Sequence, residues 1–446
     1  METGEYLVSI RHQKLQKEKP GCGKEKQIKS SQRTEAESLI QWKNSLSYSP
    51  LSLDSWSLRN LNNLCNWTAI LCDSSGTSVS KINLSNANIT GTLTQFNFTS
   101  LSNLTSIDFG NNNISGLIPS TIGTLSRLTF MNLSFNYFEG EIPPEIGRLS
   151  ELQYLSLSSN NLNNTIPYQL SNLQKVTYLD LGVNYLTDSP DWSKFSGMPM
   201  LTYLNLILNK LVLEFPGFIP SCKNLTFLNL SQNSLTGQIP ELVFTNLGKL
   251  EYLNLTNNQF EGPLSSKISN LSKMKHLRVA NNKFNGSIPE GIGGLMSDLE
   301  ILELYNNSFE GSIPSSVGQL RNLQTLDLRM NSLNSSIPSE IGFCTSLTYV
   351  AFAINQLTGE LPLSLSNLTK LSELEGFSPC NPIQESGKSS KINKKVLIEV
   401  IVPLGQKLTL SVWIADKLSQ IVKVYVEVIK NIKEDFEGKE IGIWSF

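Results

Sequence analysis

Two histidines in 446 residues exclude a histidine-pair metal site. No G-x-S-x-G elbow occurs, and Gly387-Lys388-Ser389 lacks the upstream glycine that a phosphate-binding loop needs. Asp108-Phe109-Gly110 spells a kinase metal-binding triplet, but no H-R-D and no V-A-I-K accompany it. No catalytic residue, metal or cofactor is expected. Charge of either sign is not in excess, 36 Lys+Arg standing against 38 Asp+Glu, so no general attraction to nucleic acid or anionic membrane is expected. No apolar run approaches the roughly 18 uninterrupted residues of a membrane helix. Residues 1–33 carry eight Lys and Arg and no long apolar core, so they lack the form of a secretory signal. That stretch reads as a disordered basic leader, or as a nucleic-acid tail that Glu2, Glu5, Glu18 and Glu25 would dilute. Six cysteines are too few for a disulfide scaffold of this length.

Asparagine, by contrast, is placed with regularity. Asn112, Asn136, Asn160, Asn184, Asn209, Asn233, Asn258, Asn282, Asn307, Asn331 and Asn355 recur every 24 or 25 residues. Each closes the phrase L-x-x-L-x-L-x-x-N-x-L, and most are followed by G-x-I-P. A fixed period of this kind marks a solenoid of leucine-rich repeats. In one unit, Leu155 and Leu157 alternate inward on a short strand while Tyr154, Ser156 and Ser158 face out. Leu149, Leu152, Leu162 and Ile166 fill the rest of the coil. Asn160 falls where the backbone turns, so stacked copies should form a hydrogen-bonded ladder. The template gives about twelve full repeats from Val79 to Pro362, with Ala87 replacing the first ladder asparagine. The fifth is irregular, with Asp188-Ser189-Pro190-Asp191-Trp192 in place of G-x-I-P. Phe109, Cys222 and Cys344 fall on core positions. Cys22, in the leader, carries no reading.

The I-P step with an upstream glycine, as in Gly116-Leu117-Ile118-Pro119 and Gly311-Ser312-Ile313-Pro314, resembles the plant-specific repeats of receptor-like kinases. The resemblance spans roughly residues 34–374 and implies an α/β solenoid: a right-handed superhelix with a parallel concave sheet, a second short strand per coil and a helical N-terminal cap. It implies an ectodomain fragment without the kinase domain. The domains then read as a leader at 1–33, a cap at 34–76, repeats at 77–374 and a Ser/Lys-rich linker at 375–395. Residues 396–446 read as a degenerate juxtamembrane and kinase-start remnant. There Ile414, Leu418, Ile421, Tyr425, Ile429 and Ile432 have helical spacing. Such a helix would pack on the solenoid end, dock loosely or lie on a membrane. Cys65-Asn66-Trp67-Thr68-Ala69-Ile70-Leu71-Cys72 is similar to the family's cap motif, with Ala69 in place of its glycine. The likeness implies a Cys65–Cys72 disulfide. Cys380 is similar to half of the paired-cysteine C-terminal cap.

Solenoids bind along their concave surface. One outward column reads Phe130, Tyr154, Tyr178, Tyr203, Phe227 and Tyr252, then His276, Ile301 and Thr325. These rings form either a self-stacking ladder that shields the sheet or a groove for an extended peptide. Beyond them the face turns charged, with Arg278, Glu303, Tyr305, Asp327 and Arg329. The arginines are weak candidates for a ligand carboxylate, since no tight Arg-x-Arg pair exists and a solvated face is the plain alternative. Contacts are expected on residues 227–330. Sixteen N-x-[ST] sequons suit a secreted glycoprotein. Acceptors are expected at Asn66, Asn88, Asn97, Asn103, Asn163, Asn224, Asn270, Asn285, Asn334 and Asn367. Asn132, Asn229 and Asn254 lie on the concave face, where a glycan would obstruct a ligand. The resemblance implies a peptide or protein ligand, a co-receptor kinase as a further partner, and an extracellular or cell-surface place. A secreted polygalacturonase inhibitor, which normally has fewer repeats and two complete caps, is the alternative. An intracellular scaffold is the third reading.

Overall fold

A computed structural model describes residues 30–188, 191–375, 395–401 and 407–413. Its spine is a 14-stranded sheet in which one strand from each coil lies beside the next, in sequence order. Ile70–Cys72 pairs antiparallel with Val79–Asn83, and every later neighbour is parallel and in register. Each strand is about three residues long, as in Tyr154–Ser156, because the leucines on either side must turn inward to fill the coil. Leu155, Leu157, Leu162 and Leu149 are fully buried, and the same positions in the other coils form one continuous core. Burial of each such side chain is worth roughly 1.5–3 kcal/mol, which no coil obtains without a neighbour on each face.

The ladder asparagines sit at the turn that follows the strand. Asn160 Nδ2 donates to the carbonyls of Leu133, Leu157 and Ser158 at 3.0, 3.1 and 3.2 Å. Its Oδ1 accepts from the Phe138 amide at 3.0 Å. One side chain thereby satisfies backbone groups of its own coil and of the one before. All eleven asparagines repeat this reach across to the preceding coil. The residue just before each asparagine is left-handed, with φ between 50° and 58°, whatever its identity; Phe135, Val183, Leu208 and Ile354 are among them.

A second strand of two to five residues follows the turn in most coils, but these strands form two sheets and not one. The interruption coincides with the irregular fifth repeat. There Trp192, Phe195 and Phe218 pack together with centroids 4.9–5.7 Å apart in place of the regular segment. Asp188, buried, substitutes its Oδ2 as an acceptor for the amides of Val212 and Leu213, at 2.5 and 3.1 Å. The return path of most coils is a 3-10 turn, and six of these turns are entered from proline, as at Pro144–Arg148. Glycine is required on that path: a Cβ at Gly147 would run into the Gln169 carbonyl of the next coil.

The cap helix, Ser30–Ser45, crosses the expected leader boundary at residue 33. Its Trp42 is fully buried, stacks on Phe109 at 5.5 Å, and donates from Nε1 to the Thr92 carbonyl at 2.8 Å. Phe109 is therefore a core ring and not part of a metal triplet. Glu35 is also buried, accepting from Ser78 Oγ and from the Val79 amide; burial raises its carboxyl above the usual range. Cys65 and Cys72 are disulfide-bonded, with Cα atoms 5.3 Å apart. Ala69, standing where the family motif has glycine, takes φ +67°.

At the far end, ahead of the stretch with helical spacing, Lys395–Ile401 and Lys407–Trp413 form an antiparallel strand pair. Val396, Leu397, Ile398, Val400 and Ile401 suit a strand, being largely β-branched. The helical spacing from Ile414 to Ile432, Cys380 and the linker lie outside the described residues.

Candidate functional site: the concave sheet

The concave surface divides at Tyr252. On its N-terminal side Phe130, Tyr154, Tyr178, Tyr203, Phe227 and Tyr252 stand in register on adjacent strands and stack face to face. Centroids are 4.2–4.4 Å apart and ring planes lie within 13° of parallel. That spacing is set by the strands, which lie about 4.8 Å apart. Each ring covers its neighbours, and the Tyr178 hydroxyl donates to Asp180 Oδ2 at 3.4 Å. Burial and the Asp180 carboxylate push the Tyr178 phenol well above its ordinary pKa, so it remains a neutral donor. The stack ends where His276 meets Tyr252 edge-on, at 5.5 Å and 62°.

A second polar column, unnoticed in the sequence, runs beside the rings. Asp108, Asn132, Asp180, Asn205, Asn229 and Asn254 each accept, through Oδ1, the amide two residues on. The column seals the strand ends as the inner ladder seals the turns. Asn132 and Asn205 also donate to Asp108 and Asp180 at 2.9 and 3.0 Å. The only sequence signal was an Asx two positions after every ring but Tyr154, where Ser156 stands, and it is easily taken for variable surface. Ser156 and Ser158, expected to face out, are buried among these neighbours.

Beyond Tyr252 the same column becomes Arg278, Glu303 and Asp327, placed side by side by the strand register. Arg278 Nε lies 3.6 Å from Glu303 Oε2, too far for a hydrogen bond, and this buried donor has no hydrogen-bond partner. His276 Nε2 is 3.5 Å from Glu300. Arg329 bridges Asp327 at 3.0 Å and Glu375 at 2.5 Å while its guanidinium lies 5.2 Å from the Tyr305 ring centre. Asp327 is almost wholly buried, and this raises its carboxyl to about 6 against the opposing pull of Arg329. The two arginines thus face carboxylates of this chain and are not free cations. Among the described residues no group of His, Cys, Asp and Glu could hold a metal ion. Cys222 and Cys344 are buried and unpaired.

The sequons separate by place. Asn229 is buried, and Asn132 and Asn254 are half-buried within the concave column. Asn66, Asn88, Asn97, Asn163, Asn270, Asn285, Asn334 and Asn367 are exposed, whereas Asn103 and Asn224 are half-buried. No helix among the described residues is long and apolar enough to cross a membrane.

Comparison with known proteins agrees with this architecture. The leucine rich repeat family matches residues 77–138, and again at 151–173, 224–246, 249–271, 273–295, 298–320 and 322–344. The leucine rich repeat N-terminal domain matches residues 33–73. Together these matches cover more than half of the chain. A probable leucine-rich repeat receptor-like protein kinase of Arabidopsis thaliana is 39% identical over 93 residues, which is 20% of this chain and 8% of that protein. The MDIS1-interacting receptor like kinase 2 of the same plant is 37% identical over 87 residues, 19% of this chain and 8% of the relative. The matched stretch is thus less than a tenth of the length of these relatives. Among solved structures, the crystal structure of a TDR receptor aligns with a TM-score of 0.55 and 29% identity, covering 64% of this chain and 54% of that one.

Proposed function

The chain belongs to the leucine-rich-repeat proteins, and on that premise we propose that it is a ligand-recognition module of the plant receptor-like kinase type. The proposed ligand is an extended polypeptide lying across the strands between Phe227 and Met330. The observation that carries this reading is the change of the concave face at Tyr252. Before it, ring faces are spent on one another; after it, Arg278, Glu303, Tyr305, Asp327 and Arg329 offer charge of both signs in adjacent coils. A buried Arg278 Nε without a hydrogen-bond partner supports a site that an incoming acceptor would complete. The module contributes binding, and signalling falls to its partners, a co-receptor kinase among them. An extracellular or cell-surface place accords with the Cys65–Cys72 bridge and with exposed sequons such as Asn97, Asn270, Asn285, Asn334 and Asn367.

The test is selection of linear peptides on the purified chain, followed by affinity measurement for Arg278→Ala combined with Arg329→Ala. Loss of at least tenfold in affinity is expected. Unchanged affinity overturns the assignment of the site to this stretch.

A further inference from the structure

The concave face carries a seam between two coils of opposite charge. Between Glu261 and Glu290 the charged residues are Lys267, Lys273, Lys275, Arg278 and Lys283, all basic. Between Lys283 and Arg321 they are Glu290, Asp298, Glu300, Glu303 and Glu310, all acidic. Strand register sets Arg278 of the first coil directly beside Glu303 of the second. Their side chains are 30% and 20% exposed, so neither charge is fully solvated. Arg278 Nε and Glu303 Oε2 nevertheless stop 3.6 Å apart, and Nε has no hydrogen-bond partner. The Glu303 carboxylate accepts no hydrogen bond among the described residues. A second such group lies one coil back. Asn254 is the strand partner of Arg278, and two residues on from it Thr256 Oγ1 is also buried without a partner. Beside Thr256 in the next coil stands Ala280, whose side chain has no polar atom. Five buried side-chain atoms lack partners among the described residues, and these two are the ones on the concave face. Two such groups in neighbouring coils suit a shared partner from outside the chain.

On the premise, proposed above, that a polypeptide lies across these strands, we infer that the seam takes one uncharged side chain of the ligand, a hydroxyl or a carboxamide, and refuses a carboxylate. Charge decides it. Arg278 offers a donor and Glu303 an acceptor, so the occupant must both accept and donate. A hydroxyl oxygen about 2.9 Å from each completes both bonds at once. A carboxamide does the same with its oxygen and its nitrogen. A ligand carboxylate could accept from Arg278, but it would set a second anion against Glu303. The next cation along the face cannot offset it, because Arg329 is held by Asp327 and Glu375. A ligand ammonium would satisfy Glu303 and abut Arg278 instead. Glu303 is thus the specificity-determining residue: it turns an arginine that would otherwise receive an anion into half of a site for a neutral dipole. The Thr256 hydroxyl, which can donate or accept, adds a bond to either kind of occupant.

A peptide selected on the full chain, located by hydrogen exchange and then varied one position at a time, provides the test. Each peptide variant is titrated against the parent chain, Glu303→Gln and Arg278→Met. One peptide position should hold Ser, Thr, Asn or Gln. Aspartate at that position should cost about tenfold or more in affinity on the parent and little on Glu303→Gln. Alanine there should cost about tenfold on the parent and little on Arg278→Met. A preference for Asp or Glu at the position coupled to Arg278 overturns the inference, as does an equal aspartate penalty on the parent and on Glu303→Gln. So does a position that tolerates alanine without loss, the result given by a water molecule alone in the seam. Protection confined to strands other than His276–Arg278 and Ile301–Glu303 removes the proposed binding stretch itself, and this inference with it.

Discussion

Replacing Asn160 by alanine and by aspartate separates the ladder's hydrogen bonding from its shape. Alanine removes the acceptor of the Phe138 amide and the donor to the Leu133, Leu157 and Ser158 carbonyls. The amide and at least one carbonyl are then buried without partners. At about 1–3 kcal/mol for each unsatisfied group, the loss is about 2–6 kcal/mol. Aspartate keeps the shape and still accepts from Phe138, but its second oxygen faces three carbonyls. At neutral pH that carboxylate should be worse than alanine. Protonation converts the second oxygen to a donor, so the folded-state pKa must lie above the ordinary carboxylate value. The sign follows: the folded chain binds the extra proton, so Asn160→Asp is most stable below about pH 4 and loses stability as pH rises through the raised pKa. Urea unfolding at pH 4 and pH 7, with Asn161→Ala as an exposed control, reads both effects. An Asn160→Ala cost below about 1 kcal/mol, or an aspartate variant equal to asparagine at pH 7, would refute the reasoning.

Other positions give independent expectations. Ala69→Gly should raise the melting temperature of the cap, because a left-handed conformation costs an alanine about 1–2 kcal/mol and glycine little. Gly147→Ala should destabilise by about 1–3 kcal/mol, since its Cβ meets the Gln169 carbonyl and the next coil must shift; chemical denaturation measures it. Asp327, its carboxyl raised to about 6 by burial, favours the folded state below its unfolded pKa, and that contribution is lost as pH rises through about 6. Asp327→Asn should therefore flatten the stability profile between pH 4 and 6, read by thermal melts at a series of pH values.

The solenoid was legible because one period controls everything a coil must do. Leucines at fixed offsets bury themselves only against copies of themselves, so the pattern in residues 149–167 specifies its neighbours as well. The ring column was equally legible, since strand register brings every 24th or 25th residue together. Less so was what the rings do, because stacking and open-groove arrangements share one sequence. Asn132 and Asn205 show a different limit: their role is a bond to an amide two residues on, which leaves no hydrophobic signature. The partners of Arg329 could not be read either, since Glu375 lies 46 residues on and two strands away in the sheet.

Amide hydrogen exchange with and without a selected peptide tests the central assignment most directly. Protection concentrated on His276–Arg278, Ile301–Glu303 and Thr325–Asp327, with little change on Tyr154–Ser156, is the predicted result. Protection confined to the 3-10 turns of the return path, or to the ring-stacked coils alone, would contradict it.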